Sequence, residues 1–309
     1  MKQTKWFPRV GCDKGFTLVE LLVVISVIAL LLGIMIPVLS AARGKAQTIV
    51  CASNLRNYGL ALPMYAQDNS NKSPFMVSWL YSQATIQKGV TDRKCPKECR
   101  WHYDKDVPDG SLWPYLKNKN VNLCPTYRSY ALVSKCGYSG HSKATPFNPI
   151  YSYAMNWHLG FDWVSYLGGQ KVSVDGQLTS ITWAYELTTK ISIVNRPAQC
   201  FSFTEENPWV TGQRIGDAPK WYSHVALNDN ALWLNANAGS STFPNDATDN
   251  FATYHNVTGS RKNEGKANVA FVDGHVSTVK GLAGYDAYME YGRPYSGHNK
   301  IRVNGTPIW

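Results

Sequence analysis

The sequence predicts an α+β protein in which one long N-terminal helix packs against an antiparallel β-sheet. Three observations predict this fold. Residues 16–38 are almost wholly apolar, and residues 55–66 continue with apolar side chains at helical spacing. Near the C-terminus, two apolar-rich runs at residues 267–272 and 275–279 are separated by an Asp-Gly dipeptide. That dipeptide is a strong signal for a β-hairpin.

The composition narrows the class of protein. The chain has 309 residues, of which 44% are apolar, 13% aromatic and only 17% charged. Soluble domains usually carry about 25% charged residues, so this balance is more typical of secreted and cell-surface proteins. The net charge is +10, which permits contact with nucleic acid, anionic lipid or acidic glycans. No dense run of Lys and Arg follows residue 15, and this disfavours nucleic acid as a partner.

The apolar stretch of residues 16–38 is long enough to cross a membrane. As a helix it would be about 34 Å long, and a bilayer core is about 30 Å thick. Four basic residues precede the stretch, so the positive-inside rule places the N-terminus in the cytoplasm and the rest of the chain outside. A cleaved signal peptide is the alternative, since Ser40-Ala41-Ala42 resembles its cleavage site, but its apolar region would span only about 7–15 residues.

Glu20 is a carboxylate inside this apolar stretch. Such a charge costs about 2–3 kcal/mol deep in a bilayer and less near an interface. The sequence therefore predicts a partner for Glu20.

The segment KGFTLVELLVVI, residues 14–25, resembles the type IV prepilin processing motif. The resemblance implies that a prepilin peptidase cleaves between Gly15 and Phe16 and methylates the new amine of Phe16. Glu20 would then be the fifth residue of the mature chain, where the family keeps a Glu. Pro37 falls where many pilins carry a proline that kinks the helix.

A pilin-like organisation follows from this resemblance. It implies a leader of residues 1–15, a transmembrane and assembly helix of residues 16–68, and a globular head of residues 69–309. The helix would cross the inner membrane once, with the head periplasmic or extracellular. In the low dielectric of the bilayer, Glu20 is expected to neutralise the terminal amine of the next subunit and so to set the register between subunits.

The helix is expected to continue beyond the membrane and to end at the polar residues 68–71, with an interruption or kink at Pro63. Residues 191–194 and 200–204 alternate apolar and polar side chains, which predicts two strands. Three polar stretches are interpreted as loops, at residues 90–110, 137–149 and 235–249.

A second resemblance covers patches of the rest of the chain. His255 and the segment ANVAFVDGHV are similar to the C-terminal signature of the "H-X9-DG" group of prepilin-type proteins, although the gap after His255 is longer here. Blocks around Cys51 and Cys124 are also similar to that group, and on this basis we expect the two cysteines to form a disulfide. The pairs Cys95–Cys99 and Cys136–Cys200 would remain. A zinc cluster of Cys95, Cys99 and His102 is a weaker alternative outside the cytoplasm.

Two weak metal sites are visible in the sequence, and no cofactor is expected. His255, Asp273 and His275 offer nitrogen and oxygen donors near one turn, but the aspartate more simply serves the turn and the histidines the sheet edge. Major pseudopilins bind calcium in a C-terminal loop, and oxygens for calcium could come from Asp229, Asp246 and Asp249. Their spacing matches no known ligand loop, which favours a solvated turn region.

No catalytic motif supports an enzyme. The resemblance implies a structural pseudopilin that forms a filament in a type II secretion-like system, which is related to type IV pili. Its partners would be copies of itself, other pseudopilins, the prepilin peptidase, the inner-membrane secretion platform and the lipid bilayer. A pilin-like subunit that binds glycan or DNA through exposed aromatic residues is the alternative. A membrane-anchored exported hydrolase ranks last.

Overall fold

The structure is a computed structural model. It describes residues 16–76, 78–82, 84–85, 107–133, 150–160, 172–174, 177–179, 190–194, 196–206, 231–232, 251–257, 265–280, 302–303 and 306–307. The chain divides into two compact units, Met1–Arg43 and Gly44–Trp309.

Helix α1 runs from Leu18 to Asp68 as one helix of 51 residues. The predicted interruption at Pro63 is wrong, because helix is assigned on both sides of the proline, whereas the kink predicted as the other possibility stays a prediction. A proline removes one main-chain hydrogen bond from a helix. Ala61, Leu62 and Ala66 are buried around it, and this packing holds the helical turn in place despite the missing bond.

The helix ends at Asp68, as the polar run predicted. Ser70 and Asn71 adopt positive φ values of 56° and 64°, and the amide of Asn71 donates to the carbonyl of Ala66 at 2.7 Å. The same carbonyl also accepts from the amide of Asn69 at 3.2 Å, so the last helical turn is closed by two main-chain bonds.

The described residues of the head form two sheets, and the α+β prediction is confirmed. The main sheet has the strand order β5-β1-β4-β6-β7, with all neighbours antiparallel except the parallel pair of β1 and β5. The second sheet has the order β3-β2-β8-β9. The strands are β1 (Tyr153–Asn156), β2 (Val172–Val174), β3 (Gln177–Thr179), β4 (Phe201–Glu205), β5 (Ala231–Leu232), β6 (Lys266–Phe271), β7 (Val276–Lys280), β8 (Arg302–Val303) and β9 (Thr306–Pro307).

Short helical segments lie between α1 and β1 and between later strands. They are α2 (Trp113–Leu116), α3 (Pro125–Val133), α4 (Trp157–Gly160) and two 3-10 turns, Lys119–Asn122 and Ile191–Ile193. The strand predicted over residues 191–194 is therefore wrong. The amide of Val194 donates to the carbonyl of Ile191 at 3.2 Å and closes a turn. Four alternating residues are too few to distinguish a strand from such a turn.

The strand predicted over residues 200–204 corresponds to β4, although all five of its residues are buried. Its polar side chains are satisfied inside the sheet: the hydroxyls of Ser202 and Thr204 each donate to a carbonyl of β6 at 3.1 Å. The alternating apolar and polar side chains of β4 therefore lie on two buried faces of the sheet. Neither face is exposed to solvent.

The hairpin of β6 and β7 is also confirmed, but its turn differs from the expected one. Of the two turn residues, only Gly274 has a positive φ, at 86°. The amide of Gly274 donates to the carbonyl of Phe271, and the amide of Phe271 donates to that of His275, both at 2.9 Å. The loop thus has three residues, with glycine in the left-handed position. The carboxylate of Asp273 accepts from the amide of His275 at 3.1 Å and holds the turn.

The outer half of α1 packs on the main sheet through an aromatic cluster. The ring of Tyr58 lies 5.3 Å from Trp79 and 5.2 Å from Phe203, measured between ring centroids. The Tyr58 hydroxyl donates to the side-chain oxygen of Asn122 at 2.6 Å. Nearby, a Cβ on Gly59 would lie only 3.0 Å from the carbonyl oxygen of Gly274. Glycine at residue 59 therefore allows the hairpin turn to rest directly on the helix.

This packing gives a stability prediction that uses two leucines of the same helix. Leu62 is fully buried, whereas Leu60 is 50% exposed. Leu62→Ala is expected to lower the free energy of unfolding of the head by about 2–5 kcal/mol, because it leaves a cavity. Leu60→Ala should change it by less than about 0.5 kcal/mol. Denaturant titration of the detergent-solubilised chain, followed by tryptophan fluorescence, measures both, and equal effects would contradict this packing.

Candidate functional site

The first half of α1 presents an uninterrupted apolar surface. Every large apolar side chain from Phe16 to Leu39 is exposed, and even the least exposed of them, Val24, has 46% of its surface accessible. The helix is long and apolar enough to cross a membrane. Soluble proteins rarely expose contiguous apolar patches of more than a few hundred Å², so this surface requires lipid or protein to cover it.

Glu20 forms a capping box with Thr17 at the start of this helix. The amide and the hydroxyl of Thr17 donate to the Glu20 carboxylate at 2.8 and 2.7 Å, and the amide of Glu20 donates to the Thr17 hydroxyl at 3.3 Å. Two main-chain amides that the helix cannot satisfy are thus satisfied by side chains. Both bonds to the carboxylate fall on Oε2. Pairing of Glu20 with the amine of a neighbouring subunit stays a prediction.

Pro37 lies within α1, which continues as helix on both sides of it. Phe16 precedes the first helical turn and is 68% exposed. Gly15, the other half of the expected cleavage site, lies outside the described residues, as does the rest of the leader.

In the head, Cys51 and Cys124 are joined by a disulfide with a Cα–Cα distance of 5.2 Å. Cys51 lies on α1, and Cys124 lies immediately before α3. Both are fully buried. The bond closes a sequence separation of 73 residues and ties the helix to the segment that leads into the sheet.

His255 lies against this disulfide. Its Nε2 is 3.6 Å from the Cys124 sulfur and 2.7 Å from Oε1 of Glu205, and its Nδ1 is 3.2 Å from the Thr48 hydroxyl. The Thr48 hydroxyl donates its only hydrogen to the carbonyl of Gly44 at 3.0 Å. It must therefore accept from Nδ1, so Nδ1 carries a proton and Nε2 is the nitrogen that faces the carboxylate and the sulfur.

Glu205 completes this buried group. It is the last residue of β4 and is fully buried. Its Oε2 accepts from the amide of Asn268 on β6 at 2.7 Å, and its Oε1 meets His255. The charge of Glu205 also raises the pKa of Tyr153, where burial is the larger cause. We call Cys51, Cys124, Glu205 and His255 the buried cluster; one donor atom from each lies within 4.8 Å of the others.

The structure does not bring His255 together with Asp273 and His275, as the sequence had suggested for a metal site. Asp273 and His275 lie beyond the other end of β6. Their side chains pair with each other at 2.6 Å and are 35% and 39% exposed. His275 also stacks on Phe271. These contacts are the turn and sheet-edge roles given above as the simpler interpretation.

The remaining cysteine and calcium predictions have separate outcomes. The thiol of Cys200 is free and buried, so the pairing of Cys200 with Cys136 is wrong. The side-chain amide of Asn156 donates to this sulfur at 3.8 Å, and burial raises the pKa of the thiol. The other residues of those predictions lie outside the described residues: Cys95, Cys99, His102, Cys136, Asp229, Asp246 and Asp249.

Sequence reasoning missed Thr48, Glu205 and Asn268. Glu205 and Glu206 follow an apolar strand, and two adjacent acids at a strand end usually indicate a solvated turn. Both are buried instead. The burial of Glu205 could not be predicted from neighbouring residues, because its partners His255 and Asn268 are 50 and 63 residues away along the chain.

The aromatic residues bear on the alternative in which the head binds glycan or DNA. Among the described residues, the largest fully buried side chains are mostly aromatic: Trp79, Tyr58, Tyr127, Tyr153, Tyr254, Phe201, Phe203 and Phe251. These rings form the core, so in this part of the chain their abundance reflects packing.

The helix has the length and the exposed apolar surface that a membrane-spanning anchor requires. Comparison with known proteins agrees with the motif: residues 12–36 match the family described as the prokaryotic N-terminal methylation motif. A curated relative, the type IV wide pilus major component PilA4 of Thermus thermophilus, is 45% identical over 58 residues. Residues 12–36 thus carry a prepilin-like N-terminal motif.

The match to PilA4 has limited extent. It covers 19% of this chain and 44% of the relative, so the chain spans less than half of the length of that relative. No solved structure matches the chain.

The two acid–histidine pairs allow a matched prediction. Glu205→Ala leaves the imidazole of His255 and the amide of Asn268 without their buried partner, and we expect the free energy of unfolding to fall by about 3–5 kcal/mol. Asp273→Ala breaks an exposed pair, for which we expect no more than about 1 kcal/mol. Denaturant titration of both variants at one pH measures the difference. Similar losses in the two variants would contradict the buried role of Glu205.

Proposed function

We propose that this chain is a structural subunit, and not an enzyme, that assembles through its N-terminal helix into a filament. The observation that carries the proposal is the exposed apolar surface from Phe16 to Leu39. Covering such a surface releases about 25 cal/mol per Å². The bilayer covers it before assembly, and the same surface of neighbouring subunits covers it in the filament core.

Glu20 supplies the specificity that an apolar surface lacks. Apolar contact is not directional, so helices could slide along one another. A single carboxylate near the start of the helix can be neutralised by the terminal amine that cleavage before Phe16 creates on a neighbour. In low dielectric, an unpaired charge is expensive and a paired one is tolerated. One axial register is therefore favoured over the others.

The filament we propose belongs to a type II secretion-like system, with the chain as a pseudopilin. Its partners are then copies of itself, other pseudopilins, the prepilin peptidase and the inner-membrane platform. The N-terminus is cytoplasmic before cleavage, and the head lies outside the inner membrane. The prepilin-like motif of residues 12–36 supports this proposal.

The capping box allows the charge of Glu20 and its hydrogen bonds to Thr17 to be tested separately. Glu20→Gln removes the charge but keeps a side chain that can accept from Thr17. Thr17→Val removes the hydroxyl and keeps the charge. If Glu20 pairs with a neighbour, Glu20→Gln is processed normally but lowers filament yield at least tenfold, whereas Thr17→Val assembles. Immunoblotting of processed protein and of sheared filaments measures the two steps.

The reverse result would contradict the proposed pairing of Glu20 with the amine of a neighbouring subunit. If Glu20→Gln assembles like the wild type and Thr17→Val does not, the acid serves only its own helix end. Glu20→Asp is a further control, since it keeps the charge on a shorter side chain. Its filament yield should lie between those of the wild type and Glu20→Gln.

Processing has its own prediction. Intact-mass measurement of the protein purified from membranes should give a chain that begins at Phe16 and carries one additional methyl group. A chain that begins near Ala42 and is recovered without membranes would instead indicate an ordinary signal peptide, and the filament proposal would fail.

A further inference from the structure

The buried cluster contains more chemistry than a disulfide requires. Cys51, Cys124, Glu205 and His255 come from four separate parts of the chain, and each is at most 1% exposed. A disulfide needs only apolar neighbours. Burying a carboxylate and an imidazole costs several kcal/mol per charge before their pairing is counted. The presence of both beside two sulfurs therefore calls for an explanation other than the disulfide itself.

The four donor atoms are close enough to share one coordination sphere once the disulfide is reduced. Two sulfurs, an imidazole nitrogen and a carboxylate oxygen lie within 4.8 Å of one another. Zinc in structural sites takes four ligands in a tetrahedron, at about 2.3 Å for sulfur and about 2.0–2.2 Å for nitrogen and oxygen. Thiolate ligands exclude magnesium and calcium, which prefer oxygen. We infer that the reduced form of this cluster binds one zinc ion per chain. The inference does not depend on the proposed filament function.

Side chains behind the ligands orient them for this role. The Thr48 hydroxyl accepts from Nδ1 of His255 at 3.2 Å, which directs Nε2 into the cluster. The amide of Asn268 donates to Oε2 of Glu205 at 2.7 Å, which leaves Oε1 directed into it. The side chain of Asn268 also donates to the carbonyl of Thr48 at 3.2 Å, so the two supports are linked. Ligands of metal sites are commonly fixed by such outer contacts.

The reduced and oxidised forms are related by a balanced exchange. A dithiol reductant donates two electrons to the Cys51–Cys124 bond and becomes a disulfide, and its two protons end on the two sulfurs. Zinc then displaces both thiol protons and the proton held between Nε2 of His255 and Oε1 of Glu205. A small-molecule disulfide, the oxidised form of such a dithiol reductant, reverses these steps: it re-forms the Cys51–Cys124 bond and the zinc ion is released. The disulfide connects α1 to the segment before α3, and the zinc form would in addition connect α1 to β4 through Glu205.

Cobalt(II) is the probe that tests the site, because its tetrahedral thiolate complexes absorb in the visible and near ultraviolet. The full-length protein in detergent is reduced, freed of reductant under argon and titrated with cobalt(II), then with zinc(II). We expect one cobalt per chain with thiolate-to-cobalt charge transfer, displacement by one zinc, and no signal from oxidised wild-type protein. The comparison of the two redox forms does not require any variant to fold.

Variants then assign the signal to the cluster. Cys124→Ser should abolish it, whereas Cys200→Ser and the double variant Cys95→Ser/Cys99→Ser should keep it. Thr48→Val removes an orienting contact and should weaken zinc binding about 10–100-fold, measured by competition with a chromophoric chelator. Binding that persists in Cys124→Ser, or a reduced wild-type protein that binds no cobalt, would overturn the inference. In that case His255 and Glu205 form only a structural pair beside the disulfide.

Discussion

The structure depends on one constraint: the first half of α1 cannot remain in contact with water. From Phe16 to Leu39 its apolar side chains are exposed, and a contiguous apolar surface of this extent is not stable in water. The outer half of the same helix meets the opposite demand, because Leu55, Tyr58 and Leu62 are fully buried. The two halves of α1 thus have different surroundings: the first half is exposed and the second half is packed in the protein core. Its first half requires lipid or protein to cover it, and its second half is part of the core.

The part of the fold that could be predicted from sequence is the part determined by local pattern. The periodic residues of α1, its end at Asp68 and the β6–β7 hairpin each carry their signal within a few residues. The errors arose where tertiary packing overrides that signal. Pro63 should interrupt a helix, but the buried residues around it keep the helix intact. Residues 191–194 alternate like a strand and form a turn, because four residues give too little periodicity to decide between the two.

The candidate sites divide in the same way. The processing motif is contiguous, so Gly15, Phe16 and Glu20 could be named from sequence alone, and the family comparison agrees with the motif. The buried cluster is assembled from residues that are distant in sequence. Cys51, Cys124 and His255 were singled out by resemblance to a family, but Glu205 could not be. Its buried position at the end of β4 results from the sheet register, in which Thr204 pairs with Val269.

The carboxylates of Glu20 and Glu205 are held in a similar way, although Glu20 is exposed and Glu205 is buried. At each site the chain satisfies one oxygen of the acid and leaves the other available. Oε2 of Glu20 accepts from Thr17, and Oε2 of Glu205 accepts from the amide of Asn268. The other oxygen of Glu205 meets the imidazole of His255 at 2.7 Å, and the other oxygen of Glu20 is the one that the proposed contact with a neighbouring amine would use. In surroundings of low dielectric such a contact is strong and its loss is costly. At the buried site, the contact between Glu205 and His255 links the end of β4 to the segment around His255.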